Sequence, residues 1–256
     1  MNTFFLDRLN SEPHALAFAG QSTPWPVALA DQSANPALDE ALHTHAAAAQ
    51  ALLYPVSAEL LATTGRPVDL FGFEPNPARL GAAAAASASV PGIALTQLGA
   101  LLDAAALGYN PAQAKPVAVL GHSQGVLAVH MVQAICEAGS IDAAAAKIDE
   151  ILAIATLIGV AGTRQARQLG LAARHGEATP MLSVKDITRA QVDALIERVD
   201  GARGPIAVAV TNSATHYVLS GYPEDLAAFG VEVAKEHERQ AKLRDEKGRG
   251  GHVFAP

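Results

Sequence analysis

Residues 117–126 read VAVLGHSQGV, and that stretch constrains the fold more than any other. An apolar run without alternation, Val117 to Leu120, suits a strand inside a parallel sheet. It enters Gly-His-Ser-Gln-Gly directly, and a helix is predicted from just after Ser123 through VLAVHMVQAICEA to Gly139. A strand that turns sharply through Gly-x-Ser-x-Gly into a helix has the form of a nucleophile elbow. Glycines on both sides of the serine remove Cβ clashes with the sheet and the helix, so the Ser123 hydroxyl stands exposed above the sheet. The free N–H groups of the helix N-terminus favour negative charge developing there, and the backbone amide of Gln124 is placed to act as one oxyanion donor. The alternative is a plain strand-to-helix turn that uses these residues without chemistry.

The flanking chain supports an α/β layout. ALAFA (15–19) reads as a short buried strand ending at Gly20-Gln21, and 36–62 has alanine, leucine and histidine at helical spacing. Gly65, Pro67, Gly72, Pro75 and Pro77 mark an irregular segment, and GAAAAASASVPG (81–92) reads as a tight helix or a linker into one. GIALTQLGALLDAAAL (92–107) predicts a buried helix, and 141–162 predicts a second long one. Alternating strand and helix over 15–162 implies a doubly wound sheet covered on both faces.

Beyond about residue 177 the pattern changes. PMLSV (180–184) predicts a strand, and 188–199 an amphipathic helix with Thr188 as N-cap. IAVAV and YVLSG flank TNSATH (211–216), which predicts a hairpin with a longer loop. The run 223–237 predicts a further helix with Pro223 in its first turn. This β-α-β-β-α order is one strand short of a split βαβ unit. A charged tail, KEHERQAKLRDEKGRGGHVFAP, follows, and an open sheet edge favours reading the sequence as a piece of something longer. The division expected is a core over 1–177, an incomplete ferredoxin-like subdomain over 178–240, and a charged segment over 241–256 leading into further chain.

Composition narrows the partners. The 256 residues carry a net charge of −7, with 50% hydrophobic and 17% charged residues, so a sizeable core is available and nucleic acid is not the expected partner. No secretory leader is recognised at residues 1–20, and no stretch of about 18 uninterrupted apolar residues predicts a membrane span. The sole cysteine, Cys136, excludes a disulfide within the chain, fits a reducing, cytoplasmic setting, and is read as a small core residue. No strand-linked Gly-x-Gly-x-x-Gly and no His/Cys/carboxylate cluster points to a bound cofactor or a metal.

A nucleophilic serine needs a base, and the chain has nine histidines. His122 adjoins the serine with its side chain expected to point away, as a packing or hydrogen-bonding residue beneath the turn. His43 and His45 are read as a solvated helical face, His130 as packed, and His175 and His237 as exposed. His216, in the hairpin loop, and His252, near the end, are the weak remaining candidates.

Three segments in order carry a family resemblance. Gly-His-Ser-Gln-Gly at 121–125 resembles the nucleophile turn of the acyltransferase domains of fatty acid and polyketide synthases. FAGQS (18–22) resembles the glutamine turn that opens such domains, and TNSATHYVLSG (211–221) is similar to a hairpin of their small ferredoxin-like subdomain. SVPGIALTQ (89–97), GHSQGVLAV (121–129) and RGGHVFAP are most similar to the acetyltransferase domain at the start of the bacterial type I fatty acid synthase, a multifunctional chain. The resemblance implies an α/β fold, a doubly wound parallel sheet with an α/β-hydrolase-like elbow plus the small ferredoxin-like subdomain. It implies transfer of an acyl group from acetyl-CoA to Ser123, and then to the phosphopantetheine thiol of an acyl carrier protein. It also implies a second oxyanion amide from Gln21, next to Ser22 where the family has glycine, and a general-base histidine beyond Pro256. The implied partners are the carrier protein, other domains of the multienzyme, and a second copy in a homo-oligomer, with no cofactor resident in this segment.

Malonyl-selective members grip the free carboxylate with an arginine on the helix after the nucleophile helix. No arginine occurs between Ser123 and Arg164; the cation there is Lys147, and the segment around Ala153 to Thr156 is apolar. An acetyl or other short uncharged acyl group is therefore expected. The rival readings are an esterase or thioesterase of the α/β-hydrolase class and a non-catalytic structural domain.

Overall fold

The computed structural model describes residues 8–20, 24–53, 71, 86–168, 180–199 and 204–250. They fall into two compact units, Met1–Gly176 and Glu177–Pro256. The architecture is α/β with a parallel sheet.

In the first unit, β1 (Ala15–Phe18) pairs in parallel with β2 (Ala118–Gly121), Phe18 opposite Gly121. Between them run α1 (Trp25–Ser33), α2 (Pro36–Leu52), α3 (Ala86–Ala106) and the single turn α4 (Pro111–Ala114). After β2 come a 3-10 turn, Ser123–Gly125, and helices α5 (Val126–Ala138) and α6 (Ile141–Gln168). Helix starts follow local chemistry: Asn35 caps α2 by accepting from the Ala37 N–H, with Pro36 at the first helical position. Gly139 takes φ +91° and ends α5 in the left-handed conformation that glycine adopts most easily.

The core is helical: α6 packs on α3, α5 and α2. Leu42, Ile93, Leu95, Leu98, Met131, Ile135 and Ile148 are fully buried within it, and Leu16, Phe18 and Val119 bring one sheet face onto it. Helix α3 has the length and composition of a membrane span, but 72% of its apolar window lies inside this core. The sheet was expected to be covered on both faces, yet on the face opposite Leu16 and Val119 the residues Ala15, Ala17 and Leu120 are exposed. Among the described residues nothing lies over that side.

The second unit comprises β3 (Met181–Lys185), α7 (Arg189–Val199), β4 (Ala207–Ser213), β5 (His216–Ser220) and α8 (Pro223–Gly250). Among the described residues its sheet is antiparallel in the order β3-β5-β4, the order of three strands of a split βαβ unit. Val184, Leu195, Tyr217, Leu219, Phe229 and Val233 form its core. Thr188 and Gln191 make a reciprocal capping box at the start of α7, the Thr188 N–H donating to Gln191 Oε1 at 2.9 Å.

Two expectations are corrected here. Thr211 to Ser213 and His216 belong to strands, because register shifts between Val208 and Val210 and between Thr211 and Ser213 absorb the extra residues. The turn is only Ala214-Thr215, and the Tyr217 hydroxyl closes it by donating to the Ala214 carbonyl at 2.7 Å. The charged tail, in turn, continues α8 to Gly250. Pairs one turn apart support it, Lys235 to Glu232 and Arg239 to Glu236, each at 2.6 Å.

Buried polar groups also depart from expectation. His45 is not on a solvated face: its Nδ1 meets Asp149 Oδ1 at 2.6 Å, both side chains largely buried between α2 and α6. His43 stacks on Phe71. Cys136 is exposed rather than in the core; partial desolvation, reinforced by the Glu137 charge, pushes its thiol up. His130 is exposed rather than packed, and His237 is half-buried rather than exposed, its Nε2 fully covered.

Two stability predictions follow from these pairs. His45→Ala leaves the Asp149 carboxylate buried without its partner, so denaturant titration at pH 7 should show a loss of about 2–4 kcal/mol, and the double change to apolar residues should recover part of it. Glu236 is held down to about 2, from 4.5, first by hydrogen bonds from Arg239 and then by those from Gln240 and Gln191. A depressed carboxyl binds its proton more weakly when folded, so its stabilisation is full above about pH 4.5 and lost as pH falls towards 2. Glu236→Gln should lower the melting temperature at pH 7 and flatten the decline between those two pH values.

Candidate active site

The site forms where β1 and β2 end side by side. After Gly121 the backbone stays extended at His122, with φ −97° and ψ 127°. Ser123 then takes φ +54°, a left-handed conformation that costs a non-glycine residue about 1–2 kcal/mol. Gln124 and Gly125 complete the 3-10 turn that leads into α5, with the Gly125 N–H donating to the His122 carbonyl at 2.9 Å. The strained residue is the serine itself. Its side chain is thereby lifted out of the strand direction, and Ser123 is exposed.

The turn is clasped by the end of β1. The His122 N–H donates to the Phe18 carbonyl at 3.0 Å, extending the parallel pairing one step beyond the strands. A Cβ at Gly20 would lie 2.5 Å from the His122 carbonyl oxygen, 2.7 Å from Ser123 Cβ and 3.2 Å from the Gln124 nitrogen. A Cβ at Gly125 would collide with the Phe18 carbonyl oxygen. The glycines therefore serve contact between two backbones. Neither Gly20 nor Gly125 is needed for a positive φ, and the strain falls on Ser123.

Among the described residues, neither the Ser123 hydroxyl nor the Gln124 N–H has a hydrogen-bond partner. The Gln124 amide sits at the N-terminal end of the α5 assembly, beside Gly20 and the serine. Such a group is free to donate to an oxyanion. Gln21, with Ser22, lies outside the described residues, as do His175 and His252. His122 is exposed, whereas it was expected to lie beneath the turn. His14 is engaged with the Tyr109 hydroxyl at 2.8 Å. His216, in the other unit, is engaged with Ser183 Oγ at 2.9 Å. Among the described residues no cluster of three or more His, Cys, Asp or Glu could hold a metal ion.

One residue that supports this site was not singled out from the sequence. Gln97 of α3 donates from Nε2 to the Ala19 carbonyl at 2.5 Å, next to Gly20. The available signal was a lone amide inside the otherwise apolar run GIALTQLGALL, since a buried polar side chain needs a partner.

Comparison with known proteins bears on the fold. Residues 180–256 match the family model of the fatty acid synthase central AT domain. A malonyl CoA-acyl carrier protein transacylase from Coxiella burnetii superposes over 88% of the chain, with TM-score 0.51 and 17% identity. The chain shares its fold with this transacylase. A malonyl-transacylase in complex with its type II polyketide synthase acyl-carrier protein shares the fold with TM-score 0.50 and 16% identity, again over 88% of the chain. The fatty acid synthase beta subunit hexB of Dothistroma septosporum is 30% identical over 128 residues, 45% of this chain. The chain spans 58% and 60% of the two transacylase structures and 7% of the synthase subunit. At 16–17% identity the structural likeness is one of fold.

Because the turn depends on backbone contact, Gly125→Ala and Gly20→Ala should each lower the unfolding free energy by about 2 kcal/mol or more by forcing β1 and the turn apart. Gly108→Ala is the control for loss of a glycine, since a Cβ there meets nothing within 4 Å. Its conformation at φ +94° gives a smaller cost, set by backbone strain alone.

Proposed function

We propose that this acyltransferase domain carries acyl groups on Ser123 between a CoA thioester and the phosphopantetheine thiol of an acyl carrier protein. The observation that carries this is the strained, exposed Ser123 beside the unpartnered Gln124 N–H. Ser123 Oγ attacks the thioester carbonyl as a base takes its proton. The carbonyl oxygen becomes an oxyanion and receives the Gln124 amide, with the Gln21 amide as the second donor. The C–S bond then breaks, the departing thiolate regains the proton, and an ester remains on the serine. The carrier thiol reverses these steps and leaves with the acyl group. The base in this scheme is a histidine; no described histidine hydrogen-bonds the Ser123 hydroxyl.

The acyl group proposed is acetyl or a similarly short, uncharged one. Support comes from α6, which exposes the apolar Ile154, Leu157 and Ile158 and carries no arginine before Arg164. A malonyl carboxylate brought against such a surface would lose its hydration without a cation in return. Priming of fatty acid synthesis inside a multifunctional, cytoplasmic synthase is the setting that fits this transfer.

The test is single-turnover labelling. With acetyl-CoA, mass spectrometry should find one acetyl group on the peptide containing Ser123, none in Ser123→Ala, and discharge on adding carrier protein. Malonyl-CoA should label at least about tenfold more slowly. Free acetate released rapidly without carrier protein would indicate a hydrolase instead. Absence of any label on a complete, folded chain that includes the histidine base would indicate a structural domain.

A further inference from the structure

We infer that Gln97 is a positioning residue for acyl transfer, holding the Ala19–Gly20 peptide in the place from which it sets Ser123 and Gln124. This rests on the acyl-transfer function proposed above. Gln97 is only 9% exposed and reaches from α3 across to the end of β1, where Nε2 donates to the Ala19 carbonyl at 2.5 Å. The next residue, Gly20, is the one whose backbone lies against the His122 carbonyl, Ser123 Cβ and the Gln124 nitrogen. The Ala19 carbonyl belongs to the same peptide plane as the Gly20 N–H. A hydrogen bond that fixes the carbonyl therefore fixes the plane that abuts the turn. On the other side of Ala19, the Phe18 carbonyl is already fixed by the His122 N–H. Two successive carbonyls, of Phe18 at the end of β1 and of Ala19 just after it, are thus tied, one to the turn after β2 and one to α3.

The second atom of the amide makes the case stronger. Gln97 Oε1 is buried and has no hydrogen-bond partner. A buried acceptor without a donor is destabilising, and an apolar side chain of the same shape would avoid that penalty. As a packing residue in α3, glutamine is a poor choice beside Leu95 and Leu98, both fully buried. What it adds over methionine is the single donated bond to Ala19. The net effect of that bond on stability is therefore small, and its effect on the geometry beside Ser123 is what remains.

The experiment compares Gln97→Met and Gln97→Glu with the parent in the full chain. It reads the rate of Ser123 acetylation at saturating acetyl-CoA, the half-saturating concentration, and the melting temperature. Methionine keeps the shape and drops both the donor and the orphaned acceptor. It should melt within about 4 °C of the parent, yet acylate roughly 10–100-fold more slowly at unchanged half-saturation. Glutamate places a carboxylate against the Ala19 carbonyl and should be slower than methionine. Equal rates in parent and Gln97→Met overturn the inference, as does Gln97→Glu acylating as fast as or faster than Gln97→Met. A rate loss that merely follows the fraction of unfolded protein also overturns it. If the parent itself takes no acetyl group, the acyl-transfer function fails and this inference falls with it; a labelled parent with unaffected variants removes only the role of Gln97.

Discussion

The close approach of two backbones, the end of β1 against the turn after β2, is what the rest of the first unit depends on. Phe18, Ala19 and Gly20 come so near to His122–Gly125 that there is no room for a Cβ at either glycine. Contact of this kind transmits position without flexible side chains. It converts the register of a parallel pair, Phe18 opposite Gly121, into the location of a hydroxyl and an amide. The helices behind it, α3, α5 and α6, bury one face of that pair and so keep the register from slipping. A left-handed serine is tolerable only where its surroundings leave no alternative, and this clasp provides that restriction.

What was legible in the sequence was local. The apolar run before Gly121, the glycines around Ser123 and the length of the apolar stretch to Ala138 each encode their own geometry within a few residues, and strand, turn and helix lie where they were expected. Thr188 ahead of an amphipathic run identified a helix start by the same logic, and its pairing with Gln191 came from the structure. The hairpin was misjudged because bulges consume residues without announcing themselves in composition. The end of α8 was misjudged because a charged segment without proline reads equally as a solvated helix or as a loop. His45 was misplaced for a different reason. Its partner Asp149 is 104 positions away, and no periodicity links the two. Gln97 and Ala19 are separated by 78 positions, and their bond is likewise a product of the fold.

The two units also differ in how they are held together. The first relies on closely packed aliphatic helices, with polar ties inserted at a few places such as His45–Asp149. The second has a smaller apolar core and a denser network of charged hydrogen bonds, with Glu236 accepting from Arg239, Gln240 and Gln191 and so linking α8 to α7. A small sheet covered by two helices buries less area, and fixed charge pairs make up part of the difference.

The strain at Ser123 has a consequence on an evolutionary scale. Glycine would occupy φ +54° more comfortably than serine does, so folding exerts no pull to retain the hydroxyl. Under the acyl transfer proposed for Ser123, selection on that chemistry is what preserves it. In a lineage where that chemistry became dispensable, the position would drift early, and the scaffold would persist as an intact, silent descendant.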